Sequence, residues 1–217
     1  MALPRALSPA GVVLVDKEPG PSSFAVVRRL RSRTGARAGH AGTLDPFASG
    51  LLLIFLGAAT KVVGRFVGLD KRYVTDVDLS AVSTTGDPEG ELTPAQPPSA
   101  GELEGLLEGL RGEVELPVPA FSAVKIGGQR AYKLARGGTA VEMPVRRSSV
   151  RSLELLSFDG RVARLDLLVS SGTYVRSIAA ALGGHCASLR RTEVGPFSVE
   201  EADETRIVPA EEALARL

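Results

Sequence analysis

Six consecutive apolar residues, Leu51 to Leu56 (LLLIFL), stand just behind the loop Gly39-His40-Ala41-Gly42-Thr43-Leu44-Asp45-Pro46. The run falls far short of the roughly 20 apolar residues of a membrane span and suits a central strand. The segment from Phe47 to Leu56 is therefore an anchor, and the loop before it carries one imidazole and one carboxylate. Glycine lets backbone approach a ligand closely, and Pro46 fixes its own φ and pushes Asp45 toward an extended conformation. Spacing alone leaves two readings open. One is a tight turn in which His40 caps and Asp45 turns the chain; the other is a loop of chemical groups on a rigid support.

The balance of residues bounds the class. With 217 residues, 44% hydrophobic and 24% charged, the chain reads as a soluble globular protein. A net charge of +1 does not mark a nucleic-acid binder, but the distribution is uneven. Arg5, Lys17, Arg28, Arg29, Arg31, Arg33 and Arg37 face only Asp16 and Glu18 before residue 40, whereas the stretch from Asp87 to Glu115 is acidic apart from Arg111. A basic face toward a polyanion fits the first stretch, and solvated helices fit the second. Cys186, the single cysteine, excludes an internal disulfide and is compatible with a reducing compartment. The N-terminus lacks a signal-peptide layout, so the cytoplasm is expected.

In chain order, Gly11–Val15 reads as a buried strand, with Lys17 at its end as either a functional cation or a surface lysine. Ser22 or Ser23 caps a helix running to about Arg33, with Phe24, Val27 and Leu30 inward and four arginines around the rest, where phosphate contacts are expected. Ala59–Phe66 reads as a short helix. Tyr73, Thr75, Val77 and Leu79 alternate on a strand that Tyr73 opens beside Lys71 and Arg72. Residues 83–99 read as a surface loop, Ser99 and Glu102 as a capping box before Leu103, Leu106, Leu107 and Leu110. Glu113–Val118 is extended, Phe121–Ile126 a strand and Gln129–Arg136 a short basic helix. The region from Ala120 to Pro144 is either a gripping arm or a plain excursion. Val145–Ser157 and Val162–Ser170 pair across Asp159-Gly160. Tyr174 and Arg176 stand at a strand-to-helix junction, with Val175, Ile178, Ala179 and Leu182 inward. His185 and Cys186 lack the partners of a zinc site and read as structural. Ala187–Val194 is a strand and Pro209–Leu217 a closing amphipathic helix.

The unusual residues are thus His40, Asp45, Tyr73, Tyr174 and Arg176. There is no P-loop, dinucleotide fingerprint or nucleophile elbow. A carboxylate, an arginine and aromatics suit a base taken out of a nucleic acid. The blocks GHAGTLDPFASGLLLIFLGAATK, LVDKEPGPSS, KRY at 71–73, PAFSAVKIGGQRAYKLAR at 119–136, SSGTYVRSIAAALG at 170–183 and LRRTEVGPF at 189–197 resemble, in order, those of the TruB family of tRNA pseudouridine synthases.

The resemblance implies an isomerase that converts a uridine of the tRNA T-loop, position 55, to pseudouridine on a flipped-out nucleotide. It implies an α+β fold with a mixed, largely antiparallel sheet core and flanking helices. One catalytic domain would span 1–217, with an RNA-clamping insertion at about 119–145 and no C-terminal PUA-type domain. Asp45 would be the nucleophile and Arg176 its partner. Tyr73 would stack on the uracil, Tyr174 would assist proton loss at C5 or hold the base, and His40 would fill the vacated place. Lys17 and Leu189 would support the pocket. No cofactor or metal is implied, the partner is the tRNA T-arm, and a monomer with no membrane contact and no obligatory protein partner is expected. The chain departs from the family pattern in the added Glu18 and in Phe24-Ala25, where His-Asp is frequent. The alternatives are a non-catalytic tRNA-binding or RNA-folding protein that retains the pocket, and a nucleoside hydrolase using the same carboxylate.

Overall fold

The computed structural model describes residues 9–122, 124–126, 129–130 and 143–217. The chain divides into two compact units, residues 1–72 with 190–217 and residues 73–189. The divisions fall inside two strands, β4 (Lys71–Asp78) and β12 (His185–Val194).

The first unit is built on β3 (Ser49–Leu56). Leu51 through Leu56 are all fully buried, so the run has no polar residue because neither face meets water. β1 (Gly11–Lys17) pairs antiparallel along its length, from Gly11 opposite Leu56 to Lys17 opposite Gly50. The short β2 (Ala38–His40) also pairs antiparallel with β3, placing His40 opposite Ile54. The last residues of β12 run parallel to β3, Arg190 opposite Ser49 and Arg191 opposite Gly50. Side chains alternate along a strand. Leu51, Leu53 and Phe55 join Val12 and Leu14 in one apolar layer with Phe66, Val194, Phe197 and Ala213. There the Phe55 and Phe66 rings meet edge-on at 4.9 Å.

Helix α1 (Ser23–Thr34) begins where Ser22 Oγ accepts from the Ala25 N–H and ends at Gly35, whose φ of 67° an L side chain disfavours. Its inward stripe is Ser23, Val26, Val27 and Leu30. Phe24, expected inward, is instead 67% exposed. With 3.6 residues per turn it sits about 100° round from Ser23, off the buried face. A tight 3-10 turn (Gly57–Val62) and the four-residue α2 (Gly64–Val67) stand where one helix over 59–66 is expected. Gly57 starts the turn two residues earlier than Ala59. Residues of the C-terminal segment close the unit. β13 (Phe197–Ser198) folds back on β12, Val12 and Val208 exchange backbone hydrogen bonds at 2.8 Å, and the Arg216 guanidinium lies 4.2 Å from the Phe197 ring centre.

In the second unit, β4 alternates as expected, with Tyr73, Thr75 and Val77 buried. The 83–99 segment is not simply loop: β5 (Ala81–Ser83) and β6 (Leu92–Pro94) form a hairpin. Ser99 and Glu102 cap α3 (Ala100–Gly109) reciprocally, and Leu103 and Leu107 are buried while Leu106 turns outward. β7 (Gly112–Pro117) pairs antiparallel with β10 (Val145–Phe158), and β10 with β11 (Val162–Val169). The turn between β10 and β11 is held by Asp159, whose Oδ1 accepts from the Arg161 and Val162 N–H groups at 2.8 and 2.7 Å. Of the strand expected over 121–126, the described residues hold β8 (Lys125–Ile126). Gln129 opens no helix but forms with Arg130 the paired strand β9 (Gln129–Arg130). The remainder of that expected helix, residues 131–136, lies outside the described residues, as does most of the proposed arm. Helix α4 (Val175–Ala181) starts at Tyr174 and buries Val175, Ile178 and Ala179, and α5 (Ala210–Ala215) ends the chain. No helix among the described residues is long and apolar enough to cross a membrane.

Gly50 tests how closely β3 and β12 must approach. Its φ is 102°, and a Cβ there would lie 2.2 Å from the Arg191 carbonyl oxygen. Gly50→Ala is expected to cost about 3 kcal/mol through strain and overpacking, read as a lowered urea midpoint with an unchanged slope.

Candidate active site

The loop between β2 and β3 is pinned from beneath at nearly every residue. The Ser23 hydroxyl donates to the Leu44 carbonyl and accepts from the Leu44 N–H, both at 2.8 Å and both buried. The Pro46 carbonyl accepts from the Gly20 N–H at 2.8 Å and from Lys17 Nζ at 3.2 Å. The Arg191 guanidinium, 1% exposed, donates through Nε to the Leu51 carbonyl at 2.7 Å and through Nη2 to the Gly42 carbonyl at 3.2 Å, with Nη1 3.5 Å from the Thr43 carbonyl. Buried carbonyls need such partners, and a guanidinium serves several in one plane. Asp45 is half-buried at the head of this loop, and its backbone carbonyl accepts from Ala48.

Lys17 is no surface lysine. It is 1% exposed, and burial pushes its ammonium below the usual value while the nearby Asp45 carboxylate pulls the other way. Arg191 adds to the lowering, as it does for His40. His40 is half-buried. Its pKa is lowered chiefly by burial, and Nδ1 is buried without a hydrogen-bond partner among the described residues. Sequence reasoning also missed Lys71. It is buried, donates to the Val67 and Leu69 carbonyls at 2.7 and 2.6 Å, and is held down to about 8 by burial and by Arg191. The signal for Arg191 and Lys71 was weak, since a cation on a strand reads as an outward-facing residue until the strand is known to be enclosed.

Tyr73, Tyr174, Arg176 and Leu189 lie in the second unit. Tyr73 and Leu189 are buried, and Tyr174 is half-buried at the start of α4. Arg176 follows two residues later and is 3% exposed. Its Nη1 donates to the Thr85 carbonyl at 2.7 Å and its Nη2 to the Phe121 carbonyl at 2.9 Å. Asp87 Oδ2 stands 3.4 Å from Nη1. Asp87 thus belongs to no solvated acidic face: it is buried, and its Oδ1 also accepts from Thr85 Oγ1 and the Glu89 N–H. A buried arginine needs a buried anion, which only the fold could have paired with it. His185 fits its structural reading, its Nδ1 lying 2.9 Å from the Ala81 carbonyl oxygen, and Cys186 is buried. Among the described residues no group of three or more His, Cys, Asp or Glu is placed to hold a metal ion.

The sequence model of the TruB family pseudouridylate synthases, N-terminal domain, matches residues 28–175. The chain belongs to the TruB family. A tRNA pseudouridine synthase B of Ectopseudomonas mendocina is 40% identical over 95% of this chain and 72% of its own length. One of Mycobacterium sp. strain KMS is 44% identical over 88% of this chain and 69% of its own length. Among solved structures, an H/ACA RNP bound to a substrate RNA containing 2′-deoxyuridine contains a chain that is 26% identical, with a TM-score of 0.69 over 95% of this chain. This chain spans 61% of that chain's length. The mixed, mainly antiparallel sheet with few helices is the pseudouridine synthase fold, as the family resemblance implied.

The buried ammonium of Lys71 gives the TruB-family chain a pH signature. Between about 8 and the ordinary value of 10.5 the unfolded chain holds the proton that the folded chain has lost, so stability rises with pH across that window. Below it the charged form is present in both states and its burial costs ~3 kcal/mol. Lys71→Met is expected to flatten this rise, measured by urea unfolding at several pH values across that window.

Proposed function

We propose that this chain isomerises a uridine to pseudouridine in tRNA, at position 55 of the T-loop. The observation that carries the reading is the pinned loop. A half-buried carboxylate, Asp45, is presented on a backbone clamped by Ser23, Lys17 and Arg191, inside the stretch that matches the family. Such a support holds a group in one geometry, which is what a reacting carboxylate needs.

The chemistry balances without redox. The N1–C1′ bond of the uridine breaks and a C5–C1′ bond forms; the proton on C5 leaves and N1 gains one. Asp45 either attacks C1′, as carboxylates do at sugar carbons, or removes the neighbouring sugar proton to give a glycal. Arg176 pairs with Asp45 and fixes its rotamer. Tyr73 stacks on the uracil, and Tyr174 helps the proton leave C5 or holds the base. His40 fills the place left by the flipped nucleotide, which costs least if the ring is neutral, and its lowered pKa agrees with that. Lys17 and Leu189 support the pocket. The enzyme acts as a monomer in the cytoplasm on the tRNA T-arm, with no cofactor and no obligatory protein partner.

Incubation with an unmodified tRNA transcript, followed by position-resolved detection, is expected to show pseudouridine at position 55. Asp45→Asn is expected to lower the rate by roughly four orders of magnitude or more while leaving the chain folded. If the Asp45→Asn chain still forms pseudouridine, the carboxylate has no place in the mechanism. Release of free uracil would make the chain a hydrolase instead, and tight binding without any product would leave an RNA-folding protein.

A further inference from the structure

Helix α1 carries its four arginines on two flanks of opposite character. Arg29 and Arg33 share one acid: both reach the Glu204 carboxylate, and Arg33 Nη2 also donates to the Glu204 carbonyl at 2.5 Å. Arg28 and Arg31 are exposed and in no ion pair among the described residues. At 3.6 residues per turn, positions 24, 28 and 31 fall within about 60° of one another and lie on the far side of the buried stripe from Arg29 and Arg33. Phe24 is the most exposed of the large hydrophobic side chains among the described residues, at 67%. The stripe Phe24–Arg28–Arg31 is therefore an aromatic plane followed by two uncompensated guanidinium groups, about 10 Å long. It starts beside the catalytic loop, since Ser23, the residue before Phe24, is the one bonded to both backbone groups of Leu44.

We infer that this stripe is an RNA-binding surface, on which an unpaired base flanking the target nucleotide stacks against Phe24 while the backbone phosphates run over Arg28 and Arg31. A single exposed phenylalanine is ordinary on a protein surface, but this one heads a row of two guanidinium groups that meet no acid among the described residues. A π-face next to arginines free of acidic partners complements a nucleic-acid strand, where bases and phosphates alternate. An acidic or apolar protein surface would match only half of the stripe. The inference rests on the proposed action on tRNA and adds the residues that hold the strand outside the pocket.

The test separates the two. In an Asp45→Asn background, which cannot turn over, binding of unmodified tRNA transcript is measured across a salt series. Arg28→Gln with Arg31→Gln is expected to weaken binding roughly tenfold and to reduce the slope of log K against log salt by between about 1.4 and 1.8. Phe24→Ala is expected to weaken binding about fivefold or more with the slope unchanged. Arg29→Gln with Arg33→Gln, half of whose charge Glu204 already offsets, is expected to change the slope by about half as much. In the active chain the stripe variants are expected to raise KM and spare kcat, with unaltered thermal midpoints because all three side chains are exposed. Unchanged affinity and slope in the first two variants would overturn the inference, as would an equal effect from the Arg29 and Arg33 pair. So would a concentration-dependent dimer, seen by sedimentation, that Phe24→Ala abolishes. Wild-type chain that binds through the stripe yet makes no pseudouridine would instead count against the proposed reaction.

Discussion

The Arg191 guanidinium under the β2–β3 loop is the interaction on which the shape of that loop depends. A loop opened by a glycine at position 42 has little reason of its own to hold one shape. Here its carbonyls at Gly42 and Thr43, and that of Leu51 in the adjoining strand, all turn toward one planar cation. Removing Arg191 would strand the buried Leu51 carbonyl, which costs more than its one hydrogen bond contributes, and would leave the Gly42 carbonyl without this donor. The cation can be there because Gly50 lets the β12 backbone come within reach of β3: any side chain at 50 would strike the Arg191 backbone. The glycine and the arginine are one device, and the position of Asp45 follows from it.

The same cation also sets the local field. Arg191 contributes to the lowered pKa of Lys17, His40 and Lys71. Burial is the larger cause for each, but the shared contribution shows that positive groups crowd around the loop. Crowding of this kind disfavours further cations and favours anions. An anion beside the loop is therefore favoured, and burial and Arg191 both favour the neutral form of His40.

Much of this was legible in the chain. The apolar run Leu51–Leu56 identified the central strand because enclosure on both faces leaves a distinct composition. Ser22, Gly35, Ser99 and Glu102 marked helix ends through local hydrogen bonding that needs no tertiary partner. Asp45 and His40 stood out through the loop's composition and the family blocks. Lys17, Arg191, Lys71 and Asp87 were harder to place because each is a charged residue that only the fold encloses. Their burial depends on strand pairing and on compensating groups distant in sequence, such as the Leu51 carbonyl for Arg191 and Arg176 for Asp87. Phe24 failed in the opposite direction. Helical periodicity admits it to the edge of an apolar stripe, and only the actual position of the buried face, centred between Ser23 and Leu30, turns it out to solvent.

Arginine carries three different tasks in this chain, and the backbone it meets decides which. Arg191 and Arg176 are enclosed: Arg191 donates to backbone carbonyls under the loop, and Arg176 donates to two carbonyls and also faces the Asp87 carboxylate. Arg29 and Arg33 share the single Glu204 carboxylate at the surface, which offsets half of their charge. Arg28 and Arg31 remain solvated and uncompensated, so their charge reaches outward. A total of +1 says nothing about such a protein's affinity for a polyanion, because a cation already paired with an acid and a cation left unpaired count alike in the sum. What matters is which guanidinium groups the fold has already used, and α1 presents both kinds on opposite sides of one helix.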